Sequence, residues 1–313
     1  MKLDILFMGT PEFAIPSLKA LVKSGYHVVG AVTQPDKPKG RGRKHIAPPV
    51  KTCALELGIP VYQPDRVRDE DFLDTFRKIS PDMVALVAFG QILPREIIDS
   101  PRFGCLNVHP SLLPKYRGGS PINWPIINGD RKTGVTIMLM DEGVDSGDIL
   151  LQEEIDIDID DTFDDLHGKL SAMGARLLIG AVGGVMDGIL AGTPQDPSLA
   201  TFAPLLTSET GYINWDNEAE VIVNLIRGLS SNPGAYSFLG DKKLKIFYAV
   251  PGKEKSSGEK APGTLGNLME AGLQVATRDG HVYLKDVQLE GKKRMFIEDF
   301  LRGYRLLQGD TLE

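Results

Sequence analysis

Asn107 and His109 stand two residues apart in the run Gly104-Cys-Leu-Asn-Val-His-Pro110, a carboxamide and an imidazole set into an otherwise apolar stretch. Successive side chains of an extended strand point to opposite faces, so Asn107 and His109 share one face while Leu106 and Val108 share the other. Two polar groups on one face can meet one ligand. A lone strand histidine is more often a satisfied core residue. Here, however, Pro110 stops the run and places both groups near its carboxyl end. A second polar cluster, Met140-Asp-Glu-Gly-Val-Asp-Ser-Gly-Asp148, directly follows the apolar run TGVTIMLM. If that run is a parallel strand, its loop opens on the same edge, and Asp141, Asp145 or Asp148 can hydrogen-bond His109 and fix its tautomer. Spacing leaves the three open.

An amide donor, an imidazole that can carry a proton and a carboxylate that supports it suit acyl transfer to an amine. The developing oxyanion needs donors, and the expelled amine needs a proton. No G-x-S-x-G nucleophile elbow offers a serine acyl-enzyme instead. Cys105 has the same strand parity as Asn107 and His109, so a Cys-His nucleophile competes with the plainer reading of a buried structural thiol. No metal is expected, because the acidic loop lacks EF-hand spacing and has no second histidine near it.

The elements that must position these groups follow from hydrophobic spacing. LDILFMG, ending at Gly9, predicts a strand, and PEFAIPSLKALVKSG a turn and helix; HVVGAVT, VKTCALELG, PVYQ, DFLDTFRKIS and DMVALVAFG continue the βα alternation. GCLNVHP and TGVTIMLM are further strands. The expected fold class is α/β, a doubly wound, mostly parallel Rossmann-like sheet, which binds ligands beyond the carboxyl ends of its strands. Pro11 and Phe13 occupy positions of the first turn that a dinucleotide fingerprint needs small, so a dinucleotide is disfavoured. In EEIDIDIDDTFDD, Ile155, Ile157 and Ile159 alternate with Asp156, Asp158 and Asp160, which predicts a strand with one wet face rather than a metal site. A helix starting near Thr162 is followed by an aperiodic stretch and then by a helix, EAEVIVNLIRGL, and short strands that predict a small antiparallel, OB-like barrel. The expected organisation is a catalytic domain over 1–189, a linker over 190–208 and a barrel domain over 209–313.

Composition bounds the rest. With 313 residues, 42% hydrophobic and 25% charged, the chain is long enough for two compact domains. No run approaches the roughly 20 apolar residues of a membrane span, and the N-terminus lacks a long apolar segment. A cytoplasmic protein is expected, and its two distant cysteines suggest no disulfide framework. A net charge of -7 argues against polyanions on average. Between Gln34 and Lys51, however, Lys37, Lys39, Arg41, Arg43, Lys44 and Lys51 face Asp36 alone, a local charge of +5.

NVHPSLLPKYRGGSP, followed at a distance by MDEGVDSGDI, resembles the signature of formyltransferases that use 10-formyltetrahydrofolate. The block TQPDKPKGRGRK with PPVK is similar to the segment that marks the methionyl-tRNA branch of that family. The resemblance covers nearly the whole chain. It implies that Asn107, His109 and Asp145 form the catalytic trio, which selects Asp145 from the three candidates. It implies that Phe89, Gly90, Gln91, Ile92 and Leu93, with Ser111, Leu112, Leu113 and Pro114, hold the folate. It also implies that Lys37, Lys39, Arg41, Arg43 and Lys44 meet methionyl initiator tRNA and that the barrel adds backbone contacts to the RNA; a monomer is expected. Leu205 and Ser208 stand where the family often has lysines, and no tryptophan follows Asn232.

Overall fold

The computed structural model describes residues 3–39, 44–252, 260–304, 306 and 310–313. In chain order the first elements are β1 (Asp4–Gly9), α1 (Ile15–Lys23), β2 (His27–Val32), β3 (Lys37–Lys39), β4 (Lys44–Ile46), α2 (Pro49–Glu56), β5 (Val61–Tyr62), α3 (Glu70–Ile79), β6 (Met83–Val87) and α4 (Arg95–Asp99). They are followed by β7 (Cys105–His109), α5 (Asn123–Ile127), β8 (Lys132–Leu139), β9 (Ile149–Asp156) and α6 (Phe163–Met186). The last are α7 (Ala219–Leu229), β10 (Ala235–Leu239), β11 (Lys242–Pro251), β12 (Leu265–Met269), β13 (Gly272–Ala276), β14 (His281–Leu289), β15 (Met295–Phe296) and α8 (Ile297–Gly303). Two compact units form. One gathers 1–121, 133–155 and 167–203, the other 122–132, 156–166 and 204–313.

The first unit carries the expected doubly wound α/β sheet, seven strands in the order β5-β2-β1-β6-β7-β8-β9. β1 pairs in parallel with β2 and β6, and β6 with β7. Strand order therefore reverses between β1 and β6, the place where such sheets open a crevice for ligands. β6 and β7 are buried along their whole length, which is why their sequences are apolar on both parities. Behind β7 runs α6, whose Gly174 has no room for a side chain: a Cβ there would lie 2.6 Å from Val108 Cγ1. That close approach is on the face of β7 opposite Asn107 and His109. Thr162 and Asp165 cap α6 reciprocally, Thr162 Oγ1 donating to Asp165 Oδ2 at 2.6 Å and Asp165 N to Thr162 Oγ1 at 3.4 Å.

Three sequence expectations change. β8 pairs antiparallel with β7, not parallel; a strand buried on both faces looks the same in either direction. β9 alternates in burial as expected but ends at Asp156, and Ile159, beyond it, is 75% exposed. α6 is 24 residues long and contains an 18-residue stretch apolar enough to cross a membrane by length and composition, where the sequence reading found no such run. Its Leu170, Leu178, Ala181 and Val182 are buried in the protein core.

In the second unit the expected small antiparallel barrel forms from β10-β11-β14-β13-β12, with β15 on β14. Its two outer strands are joined by the last described residues. Phe238 and Glu313 exchange main-chain hydrogen bonds at 2.7 and 2.9 Å, while Leu312 N donates to Gly263 O and Leu265 N to Asp310 O. α7 buries Ile222, Val223, Ile226 and Leu229 into the same core as Ile246 and Val287 of the barrel. α5 joins this unit because Asn123 donates to Gly228 O at 2.7 Å.

Candidate active site

β7 places Asn107 opposite Met138 and His109 opposite Thr136 of β8, and both residues are buried. The loop of residues 140–148 leaves β8 at the other end of this pair, with Met140 N donating to Cys105 O at 2.8 Å. It closes where Leu139 N donates to Asp148 O at 2.9 Å. An antiparallel β8 thus starts the loop at the wrong edge, and the loop compensates by folding back along β7. Its turn needs Asp145 in the left-handed region, φ 49°, and Gly147 without a side chain, since a Cβ there would overlap Leu139 O.

The fold-back brings one carboxylate to both strand groups. Asp145 Oδ1 lies 3.4 Å from Asn107 Nδ2 and 3.6 Å from His109 Nδ1, while Oδ2 accepts the Gly118 N–H at 2.8 Å. The other ring nitrogen, Nε2, lies 3.0 Å from Tyr116 O. A carbonyl only accepts, so Nε2 carries hydrogen. The Nδ1 edge faces the Asp145 carboxylate. The amide and Nδ1 edges remain loosely engaged, which leaves donors for an incoming oxygen. The histidine side chain is 5% exposed and the aspartate 16%, so the pair sits in a poorly hydrated space.

Residues 193–203, part of the stretch expected to be a linker, run behind these loops as a strap. Gln195 Nε2 donates to Asp145 O at 2.9 Å and to Gly147 O at 2.7 Å, and its Oε1 accepts from Arg117 Nη2 at 2.7 Å. Thr201 Oγ1 accepts from Tyr116 N at 2.9 Å, and Thr201 O from Arg117 N at 2.9 Å. Gly118, φ 114°, passes so near the strap that a Cβ would sit 2.9 Å from Ala203 O. Sequence reasoning missed Tyr116, Gly118, Gln195 and Thr201. The only local hint was a segment with neither helical nor strand spacing, punctuated by Pro194 and Pro197.

The other expected ligand residues divide sharply. Phe89 and Leu93 are buried in the hydrophobic core, while Ile92 between them is 91% exposed. Thr10 Oγ1 donates to Phe89 O at 3.0 Å, tying this loop to the end of β1 at the point where strand order reverses. Gln91 faces the protein, accepting from Val67 N at 2.9 Å, and Gly90 has φ 83°. Ser111 is fully buried with its hydroxyl on Lys115 O at 2.7 Å, and Leu113 is buried; Leu112 and Pro114 are half-buried. This loop therefore offers a ligand backbone and Ile92 rather than most of its side chains.

Cys105 is wholly buried, and burial pushes its thiol well above the ordinary range, which removes the thiolate a nucleophile needs. The basic segment forms a hairpin of β3 and β4, in which Lys37 pairs with Ile46 and Lys39 with Lys44. Lys37 is exposed; Arg41 and Arg43 lie outside the described residues. Lys51 holds Asp36 at 2.8 Å, so those two cancel and the five remaining cations carry the local charge.

Residues 1–182 match the Formyl transferase family, and residues 205–305 match Formyl transferase, C-terminal domain. The chain is 53% identical over 311 residues to the methionyl-tRNA formyltransferase of Syntrophus aciditrophicus (strain SB), covering 99% of each. It is 46% identical over 308 residues to the methionyl-tRNA formyltransferase of Citrifermentans bemidjiense, covering 98% of this chain and 96% of the relative. HypX from Aquifex aeolicus in complex with tetrahydrofolic acid has a similar fold, with TM-score 0.65 and 18% identity over 100% of this chain and 51% of HypX. The N-formyltransferase from Helicobacter canadensis, solved with folinic acid and dTDP-3-aminofucose, has TM-score 0.66 and 19% identity over 94% of this chain and 100% of that one.

Proposed function

The chain belongs to the formyl transferase family, and from that membership we propose that it moves the formyl group of 10-formyltetrahydrofolate onto the α-amine of methionyl initiator tRNA, giving N-formylmethionyl-tRNA for translation initiation. Full-length relatives at 53% and 46% identity carry that activity in their names. The observation that carries the site is the meeting of Asn107, His109 and Asp145 where an antiparallel strand would not by itself have brought them.

In this reading Asn107 Nδ2 and His109 donate to the formyl oxygen as the uncharged amine adds to the formyl carbon, so negative charge develops against preplaced donors. Asp145 holds the imidazolium and accepts proton density from the attacking amine; as the carbon–N10 bond breaks, His109 or a linked water delivers a proton to N10. Atoms balance: one carbon–nitrogen bond forms, one breaks, and the proton lost by the amine ends on the leaving nitrogen. The backbone of 89–93 and the 111–114 turn pair with the donors and acceptors of the pterin, and Ile92 covers its apolar flank. Lys37, Lys39, Arg41, Arg43 and Lys44 meet phosphates of the acceptor stem, which explains how a chain of net charge -7 approaches RNA. The enzyme acts as a monomer in the cytoplasm, where charged tRNA is made; a sedimentation mass twice that of the chain would overturn the first point.

The deciding assay incubates purified protein with 10-formyltetrahydrofolate and methionyl initiator tRNA and looks for N-formylmethionyl-tRNA, with elongator tRNA in parallel for selectivity. An amino sugar nucleotide as competing acceptor separates this reading from that of a small-amine formyltransferase, whose solved members share the fold. Arg41→Ala is expected to weaken use of charged tRNA and to spare folate binding; equal loss of both would contradict a role specific to RNA.

A further inference from the structure

Gln195 lies 50 residues from Asp145 in sequence and carries no charge, yet its amide bonds the main chain of the Asp145 turn twice, at Asp145 O and Gly147 O. The orientation of that amide follows from its partners. Arg117, itself buried, presents Nη2 and Nε to one end of it at 2.7 and 3.2 Å, so that end is the oxygen. The NH2 end must then face the two carbonyls, Asp145 O and Gly147 O, and donates one hydrogen to each. Asp145 needs such support because its backbone occupies the left-handed region, which L-residues enter at a cost of order 1 kcal/mol or more. Its carboxylate has one short bond, from Gly118 N at 2.8 Å, and reaches Asn107 and His109 only at 3.4 and 3.6 Å, so the side chain alone fixes the turn at a single point.

We propose that Gln195 is a positioning residue for the transfer reaction: anchored by Arg117, it pins the strained Asp145 turn so that the carboxylate stands ready between Asn107 and His109. This builds on the function proposed above. Gln195 touches no reacting atom and acts only through Asp145. Gln195→Glu is the sharpest probe, because it keeps the size of the side chain and its Arg117 partner but sets a carboxylate oxygen against two carbonyls.

The expected result is a fall in kcat of about tenfold to a hundredfold, the penalty of misplacing a catalytic group by about 1 Å, with KM for both substrates changed by less than about twofold. In an Asp145→Asn background the same substitution has no further effect, because residues acting through one group are not additive. Amide exchange at Gly118, whose N–H is held by Asp145 Oδ2, speeds up in Gln195→Glu and in the neutral Gln195→Met, and this readout is independent of turnover. Wild-type kcat in both variants, unchanged Gly118 exchange, or a full additional loss in the Asp145→Asn background would each overturn the proposal. A wild-type protein that transfers no formyl group, or an Asp145→Asn variant of full activity, would instead overturn the functional reading and leave the exchange test of Gln195 standing.

Discussion

Arg227 in the barrel unit and Asp145 in the sheet unit are both charged side chains withdrawn from water, and they are bonded in contrasting ways. Arg227 Nη1 donates to Asp158 O and Asp161 O at 3.1 and 2.8 Å, and Nη2 to Asn224 Oδ1 at 2.8 Å. Burial lowers the pKa of this guanidinium, against the pull of nearby Asp161, Asp160 and Glu220. Asp145 has one short bond, to Gly118 N at 2.8 Å, and its other oxygen stands 3.4 and 3.6 Å from groups it does not firmly hold. Short contacts from Arg227 Nη1 and Nη2, largely to main-chain carbonyls, fasten a segment to a helix, although Nε is buried without a hydrogen bond among the described residues. Long, shared contacts between side chains leave bonding capacity for something that arrives later, which fits the catalytic role proposed for Asp145.

The strongest way to break that contrast is to show that the loose cluster matters for stability. Asn107→Ala and His109→Ala are expected to lower single-turnover formyl transfer by about a hundredfold or more, the usual cost of one oxyanion donor, while leaving the thermal midpoint nearly unchanged. A variant that unfolds early with the turnover of its folded fraction intact would make the cluster structural. Arg227→Met is the mirror experiment. It removes the donors that Arg227 gives to Asp158 O, Asp161 O and Asn224 Oδ1, so denaturant unfolding should show a loss of about 2–4 kcal/mol, with kcat of the folded protein unaffected.

The same contrast explains what could be read in advance. Asn107 and His109 were legible because strand parity is a strict period and Pro110 marks the strand end. Strand direction was not, because a strand covered on both faces, such as β8 with its buried Val135, Ile137 and Met138, is apolar whichever way it runs. Asp145 needed the family resemblance: three aspartates in one loop look alike until the fold-back selects one. Gln195 was hidden because an extended strap that bonds through backbone and one amide leaves no periodic pattern. Residues 122–132 and 156–166 cluster with the barrel through contacts such as Asn123 to Gly228 and Arg227 to Asp161, which span long stretches of sequence and leave no trace in local composition.

A smaller effect probes the support beneath the site. Gly174 lets α6 approach Val108, the residue between Asn107 and His109. Alanine would favour the helix by about 1 kcal/mol but must displace a valine methyl from a packed core, which costs about 1–3 kcal/mol. Gly174→Ala should therefore lose about 1 kcal/mol on balance, seen as a modest fall in the urea midpoint. Because a shift of β7 carries both polar groups together, kcat should fall more than stability does. A stabilised variant would show that Val108 gives way freely and that α6 does not set the strand's position.

The smallest expected effect lies in the basic hairpin, whose Asp36 is tightly bonded like Arg227 but close to water. Hydrogen bonds from Lys51 and then Gln63 hold the Asp36 carboxyl below the usual carboxylate range. A lowered folded-state pKa stabilises above the unfolded value, about 3.9, and that contribution is lost as pH falls through the folded value. The base of the hairpin should accordingly hold from neutral pH down to about pH 4 and loosen in acid, whereas Asp36→Asn should weaken it at every pH, as proteolysis at Lys37 would report. If the hairpin acts through charge on RNA phosphates, that loosening matters little, because removing a carboxylate also removes a repulsion. KM for methionyl initiator tRNA should then change by less than about twofold at physiological salt. A rise of tenfold would mean that the hairpin is held in shape for recognition, giving Asp36 the kind of role proposed for Asp145, one that rests on geometry and not only on charge.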